Sequence, residues 1–301
     1  MMNFMKVLYG FLVAAVLASV SIDAHAAVRE LPLPEVPKSI TAPEDRAGYV
    51  LCHFWDGMDW TNSVWVSDAP AMEQNFVNFV SVFPHASEAS VRTAVDAMFE
   101  ALSGNEEAYK VMADIASLYL NDTESPMRDD RLYVVFLKRF LDDRVLDEAR
   151  LTRYRYQLDD VSKNLPGTIA NDFSYTDSHG RGSTLHALWG AGYTILMFYD
   201  PECRHCHQVI EFLSRSEPVN RRLGEKSLRI LAVDTSESDV PADALPIPAA
   251  WTSARADESV EDAGLYSFRE MPALYLLSPG NEVILKDASP EAVVKKLSDI
   301  K

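Results

Sequence analysis

The hydrophobic period of the chain changes at Asn164-Leu165-Pro166-Gly167, and that change limits it to two differently built units. Before this point apolar residues recur at helical spacing. In EEAYKVMADIASLYL, Tyr109, Met112, Ile115, Ala116 and Tyr119 fall on one helical face. SEASVRTAVDAMFEALS, DDRLYVVFLKRFLDD and RVLDEARLTRYRYQLDDV read the same way. Gly104 ends the first of these, and Asn105 can cap the helix that follows. The aromatic-rich AGYVLCHFWDGMDW carries no clean period. Residues 47–163 are therefore expected to form a mostly α-helical domain.

After Pro166-Gly167 the runs shorten and turn residues bound them. DFSYT and STLHAL flank DSHGRG and predict a hairpin. YTILMFY, LRILAV, PALYLLS and EVILKD read as strands, and CRHCHQVIEFLSRS and EAVVKKLSDI as helices. The last helix has Ser289 as its cap and Pro290 at its first position. A polar, proline-containing stretch from Asp234 to Arg269 is expected to be an insertion. The order β-α-β, insertion, β-β-α predicts an α/β unit over residues 164–301, a mixed central sheet with helices on its faces.

At the other end, Val7 to Val20 is continuously apolar, Lys6 precedes it and Ala24-His25-Ala26 supplies small residues. This pattern predicts a secretory signal peptide over residues 1–26, cleaved near Ala26. The apolar core is shorter than the ~20 residues that span a bilayer. A proline-rich leader follows over residues 27–46, with Pro32, Pro34, Pro37 and Pro43 keeping it extended. The expected location is periplasmic or otherwise extracytoplasmic, where disulfides persist. A net charge of −17 repels phosphate backbones, so nucleic acid is excluded as a partner.

Two of the three cysteines lie in YDPECRHCHQ. Cys203 and Cys206 can form a reversible disulfide, with His207 they spell the haem-attachment pattern C-x-x-C-H, and with His205 and His207 they can clamp a metal. The setting narrows the choice. An apolar strand ends at Tyr199, Asp200-Pro201 turns the chain, and Cys203 falls at a helix N-terminus, where the dipole favours a thiolate. Cys206 lies one turn on. An attacking and a resolving thiol are what disulfide exchange requires.

Met271-Pro272 opens PALYLLS, at a position that is often cis. With C-x-x-C after the apolar strand, and Asp172-Phe173, Gly180 and Leu185 before it, residues 165–301 resemble the thioredoxin superfamily. The likeness is closest to the extracytoplasmic TlpA/ResA and AhpC/TSA-type branch. The helical half, with PHASE, SPMRDD and RYQL, is similar to an uncharacterised domain that precedes such modules in bacterial envelope proteins. The resemblance implies a thioredoxin-like fold and a thiol-disulfide oxidoreductase. Cys203 would attack, Cys206 resolve, and Met271 and cis-Pro272 bind an extended substrate segment. No cofactor beyond the Cys203–Cys206 disulfide is implied. The expected partners are protein thiols and disulfides and an unidentified redox partner, with an envelope protein a candidate for the helical domain.

Two positions depart from the family pattern. Glu202 stands where many thioredoxins have Trp, and Met197 replaces the buried carboxylate that takes the resolving thiol's proton. His205, His207, Glu202 and Asp200 are the candidates to move that proton or tune the thiols. His205 before Cys206 resembles the C-x-H-C motifs of oxidising members, whereas Glu202 opposes a thiolate; the branch likeness tilts the expectation toward reduction. The alternatives are a non-catalytic thioredoxin-like binding module with a structural disulfide or, further off, a metal or c-type haem site at CRHCH. Cys52, among aromatic residues, reads as a core residue rather than a third redox thiol. The purified mature protein is expected to be colourless and to hold no stoichiometric metal. A Soret band after expression with haem-maturation machinery, or about one tightly bound metal per chain, overturns this.

Overall fold

The computed structural model describes residues 29–143, 145–188, 192–236 and 247–300; the expected signal peptide over residues 1–26 lies outside them. Seven helices come first: α1 (Pro43–His53), α2 (Ser63–Val66), α3 (Ala69–Ser81), α4 (Glu88–Leu102), α5 (Glu106–Asn121), α6 (Asp130–Asp142) and α7 (Glu148–Ser162). Short polar residues decide where most of them start. Asn62, Asp68, Ser87, Asn105, Asp129 and Asp147 each accept a backbone N–H of the first turn, relieving donors that the helix cannot satisfy itself.

The apolar faces of these helices converge on an aromatic core. Phe99 meets Tyr109, Phe136 and Phe140, and Phe79 meets Phe54, Trp55 and Phe83, mostly edge-on or tilted. The leader is tied to this unit at its start. Asn75, fully buried on α3, accepts the Leu31 N–H at 2.7 Å and donates to the Arg29 carbonyl at 2.9 Å. The leader also ends earlier than expected, because Pro43 begins α1: proline suits a helix's first turn as well as an extended chain. RVLDEAR likewise enters its helix only at Glu148, after the Asp147 cap, and Arg144 lies outside the described residues.

A seven-stranded mixed sheet follows: β1 (Ser174–Asp177), β2 (Gly182–Thr184), β3 (Tyr193–Tyr199), β4 (Leu228–Asp234), β5 (Thr252–Ala256), β6 (Ala273–Leu277) and β7 (Val283–Leu285). Helices α8 (Arg204–Arg215) and α9 (Glu217–Gly224) follow β3, and α10 (Pro290–Asp299) closes the chain. The order across the sheet is β2-β1-β5-β4-β3-β6-β7. β3 pairs in parallel with β4 and β4 with β5, while β6 runs antiparallel to β3. The two central strands are buried on both faces, and their sequences, YTILMFY and LRILAVD, are accordingly apolar over most of their length. Gly192 is required before β3: its φ is 100°, and a Cβ there would sit 2.5 Å from the Ser227 carbonyl oxygen.

The fold class expected from the sequence is observed, with three local corrections. The stretch from Asp234 to Arg269 contains β5; only Ala254 of its five residues is buried, so it has no apolar signature and depends on the ladder to β4. EPVNRRLG folds as α9, which extends the first crossover. STLHAL contributes only its first residues to β2, and a 3-10 turn over His186–Leu188 follows.

A cluster of buried charges joins the two halves. Asp130, at the start of α6, meets Lys286 at 2.7 Å and Arg269 at 3.2 Å. Arg128 meets Asp287 at 2.8 Å, and Arg269 lies 3.6 Å from Asp160 on α7. Lys286 is 5% exposed and Asp130 8%, so each needs the other. Asp130→Ala leaves the buried Lys286 without its counter-charge and is expected to cost about 3–5 kcal/mol of stability by urea unfolding. A loss below about 1 kcal/mol would show that water already solvates the cluster.

Candidate active site

The site is built at the junction of β3 and α8. After the last β3 residue the chain reads Asp200-Pro201-Glu202-Cys203, and the Cys203 N–H donates to the Asp200 carbonyl at 3.0 Å, closing a turn. Aspartate at its first position and proline at its second suit such a turn. The Asp200 carboxylate also accepts the Glu202 N–H at 2.7 Å. Cys203 is then the N-cap of α8, and its sulfur accepts the Cys206 N–H at 3.2 Å. A sulfur in that position faces the positive end of the helix and receives one of its free donors.

The start of the helix separates the two thiols. Cys206, Val209, Ile210 and Leu213 form the buried stripe of α8, so Cys206 is fully enclosed against Ile195, Met197 and Tyr199 of β3. Cys203 continues the stripe one step beyond the helix start and is only half-buried. Burial, first, and its hydrogen bond to Cys203, second, push the Cys206 thiol up to about 12. An unfolded thiol titrates near ~8.5, so this group favours the fold fully below that pH, and the contribution is lost as pH climbs toward 12.

The cis peptide Met271-Pro272 lies against this helix start, and the Met271 carbonyl oxygen is 3.6 Å from the Cys203 sulfur. No described residue accepts a hydrogen bond from the Met271 N–H, so the backbone just ahead of β6 keeps an open donor. A cleft of about 330 Å³ runs from Met271 and Pro272 past His205 and Val209 to the start of α10. Thr123 and Arg128 of the helical half line it as well.

The four candidates for proton handling occupy different places. The Asp200 charge weakly opposes ionisation of Cys206, while a hydrogen bond from its backbone favours the thiolate. Glu202 is exposed at the turn. His205 is exposed over the cleft, with Gln208 3.4 Å from its Nδ1. His207 is committed elsewhere: its Nε2 lies 2.8 Å from the Pro201 carbonyl, which only accepts, so that nitrogen carries a proton and fastens the turn. Met197, in place of a buried carboxylate, packs in the core beside Cys206. Cys52 lies on α1 against the helical core, with its thiol pushed up by burial. Among the described residues no group of three or more His, Cys, Asp or Glu side chains is arranged to hold a metal ion.

Sequence reasoning did not find the Arg128, Asp130, Arg269, Lys286 and Asp287 cluster, nor Thr123 at the cleft. Each is an ordinary polar residue in its own segment, and only the tertiary fold brings them together.

The unequal exposure of the thiols has a direct readout. Iodoacetamide at about pH 8 is expected to label Cys203 in the folded, reduced protein, and Cys206 only after unfolding. Comparable labelling rates at both sites by peptide mapping would refute the asymmetry.

Residues 15–164 match the family model of a domain of unknown function, DUF5106. Among solved structures, a thioredoxin-like protein from Bacteroides caccae is 26% identical with a TM-score of 0.79, over 90% of this chain and 99% of that one. The C-terminal domain of an uncharacterized protein from Bacteroides fragilis is 33% identical with a TM-score of 0.43, over 45% of this chain and 98% of that one. The thioredoxin domain of a thiol-disulfide oxidoreductase from Bacteroides vulgatus is 15% identical with a TM-score of 0.37, over 44% of this chain and 96% of that one. No curated protein sequence matches. The chain thus joins a segment matched by that domain of unknown function to a C-terminal half with the thioredoxin-like fold.

Proposed function

We propose that the protein is an extracytoplasmic thiol-disulfide oxidoreductase of the TlpA/ResA type, acting on protein disulfides through Cys203 and Cys206. The observation that carries this reading is the contrast between the two sulfurs. Cys203 is accessible, caps α8 and lies beside the cis Met271-Pro272 peptide, whereas Cys206 is enclosed and protonated. A disulfide that served only as a staple would gain little from closing so short a loop.

In the reducing direction the Cys203 thiolate attacks a client disulfide. One client sulfur becomes bonded to Cys203, and the other leaves as a thiolate and takes up a proton. Cys206 then loses its proton, attacks the Cys203 sulfur and releases the second client thiol. The client disulfide has gained two electrons, and the Cys203–Cys206 pair has lost them. With a thiol pushed up to about 12, the second step needs a proton acceptor. Asp200 is the candidate this reading favours, because its carboxylate is close enough for its charge to act on Cys206, whereas the Nε2 proton of His207 is held by Pro201. The client would pair with the open Met271 backbone as an added strand. The reducing direction is supported by the Cys206 burial, which withholds thiolate stabilisation from the reduced pair. The protein needs no cofactor in this scheme, but a second redox partner must re-reduce the pair. No helix among the described residues is long and apolar enough to cross a membrane.

Cys206→Ser, expressed in its native envelope, is expected to accumulate thiol-cleavable adducts with client proteins, while Cys203→Ser does not. Equal trapping by both variants, or none by either where the wild type turns over, refutes the assigned roles. Clients released reduced by the wild type support the proposed direction, and clients released oxidised reverse it.

A further inference from the structure

The loop that leads into the cis peptide is shared between the two halves of the chain. From Tyr266 to Arg269 its side chains alternate in direction, as they do on a strand. Tyr266 and Phe268 turn into the aromatic core of the sheet half, each with its ring centre 4.7 Å from that of Phe198. Ser267 and Arg269 turn toward the helical half. The Ser267 hydroxyl donates to the Asp160 carboxylate on α7, and Arg269 Nε lies 3.6 Å from the same carboxylate. A second guanidinium nitrogen of Arg269 reaches Asp130 on α6 at 3.2 Å. Just ahead of these residues the Asn164 amide donates to the Leu265 carbonyl at 2.8 Å. Met271 comes two residues after Arg269, and its carbonyl oxygen is 3.6 Å from the Cys203 sulfur. Whatever holds Ser267 and Arg269 therefore limits where the Met271 backbone can lie.

We propose that the helical half braces the cis-proline loop, with Asp160 and Asp130 as positioning residues that hold the Met271 backbone ready for a polypeptide client. This rests on the oxidoreductase reading above and gives the helical half a part in client recognition at that same site. A client strand that pairs with Met271 needs its backbone in one direction on arrival. Holding it there beforehand removes an ordering cost that otherwise weakens binding. The two carboxylates act through the loop: Asp160 bonds Ser267 and Arg269, and Asp130 bonds Arg269 and Lys286. The brace therefore bears on how tightly a polypeptide binds and leaves the exchange step as it is. The reduced Cys203–Cys206 pair gives up two electrons, and the client disulfide becomes two thiols.

Asp160 lies on α7 and does not line the cleft beside Met271, so Asp160→Ala frees the loop without reshaping that surface directly. Single-turnover reduction by the pre-reduced full mature chain is followed with two probes, an unstructured peptide disulfide and cystamine, each over a range of concentrations. Cystamine has no peptide backbone to pair with Met271. Asp160→Ala is expected to raise the half-saturating concentration of the peptide at least about fivefold. The limiting peptide rate and the cystamine rate should both stay within about twofold of the wild type. Ser267→Ala breaks the same contact from the loop side and should raise the half-saturating concentration at least about twofold. If Asp160→Ala fails to fold by circular dichroism, Ser267→Ala decides alone. A half-saturating concentration that neither folded variant raises, or peptide and cystamine slowed alike, overturns the brace and leaves the oxidoreductase reading standing. A wild type that fails to reduce even cystamine overturns both.

Discussion

Asp130 holds the two halves of this molecule in one arrangement. Its carboxylate is almost fully buried, an expensive position for a charge, and Lys286 and Arg269 from the sheet half offset that cost. Lys286 is almost fully enclosed and Arg269 largely so. The start of α6 is therefore pinned against the loop ahead of Pro272 and the end of β7. The cleft that both halves line depends on this cluster, whose members Arg128, Arg269 and Asp287 are part of its lining. Apolar packing alone would not select the arrangement so narrowly, since apolar contacts are non-directional and ion pairs with hydrogen bonds are not.

The second organising constraint is the start of a single helix. Residues three apart share one face of a helix, so it is the place where α8 begins, between the two cysteines, that makes their surroundings unequal. Cys206 takes the stripe and becomes a protonated core thiol; Cys203 falls before the first turn and receives the helix's free N–H. The chemical inequality of the two sulfurs is thus a geometric result of where β3 ends and the Asp200-Pro201 turn begins. His207 reinforces that turn through the bond of its Nε2 to Pro201.

Much of this was legible in the linear sequence. The central strands announce themselves because both faces are buried, and the capped helices because Asn105, Ser289 and their like sit where free N–H groups need an acceptor. The position of Cys203 at a helix start was readable for the same local reason. β5 was not, since TSARA buries one residue and takes its strand conformation from its neighbour. The first turn of α1 was masked by Pro43, a residue equally at home in an extended leader. Of the four proton-handling candidates, the sequence could not separate Asp200 from His207, because the difference lies in one hydrogen bond to a carbonyl six residues away.

What the sequence alone determined was local: periodicity, caps, turns and the strand-turn-helix setting of the C-x-x-C, each governed by residues within a few positions of one another. Only the tertiary structure decided what faces the site. Arg128, Asp130, Arg269, Lys286 and Asp287 carry no mutual signal along the chain, since between Asp130 and Lys286 lie helices α6 to α9 and all seven strands. Their attraction falls with distance through space and takes no account of distance along the backbone, so it acts once the fold has brought them together.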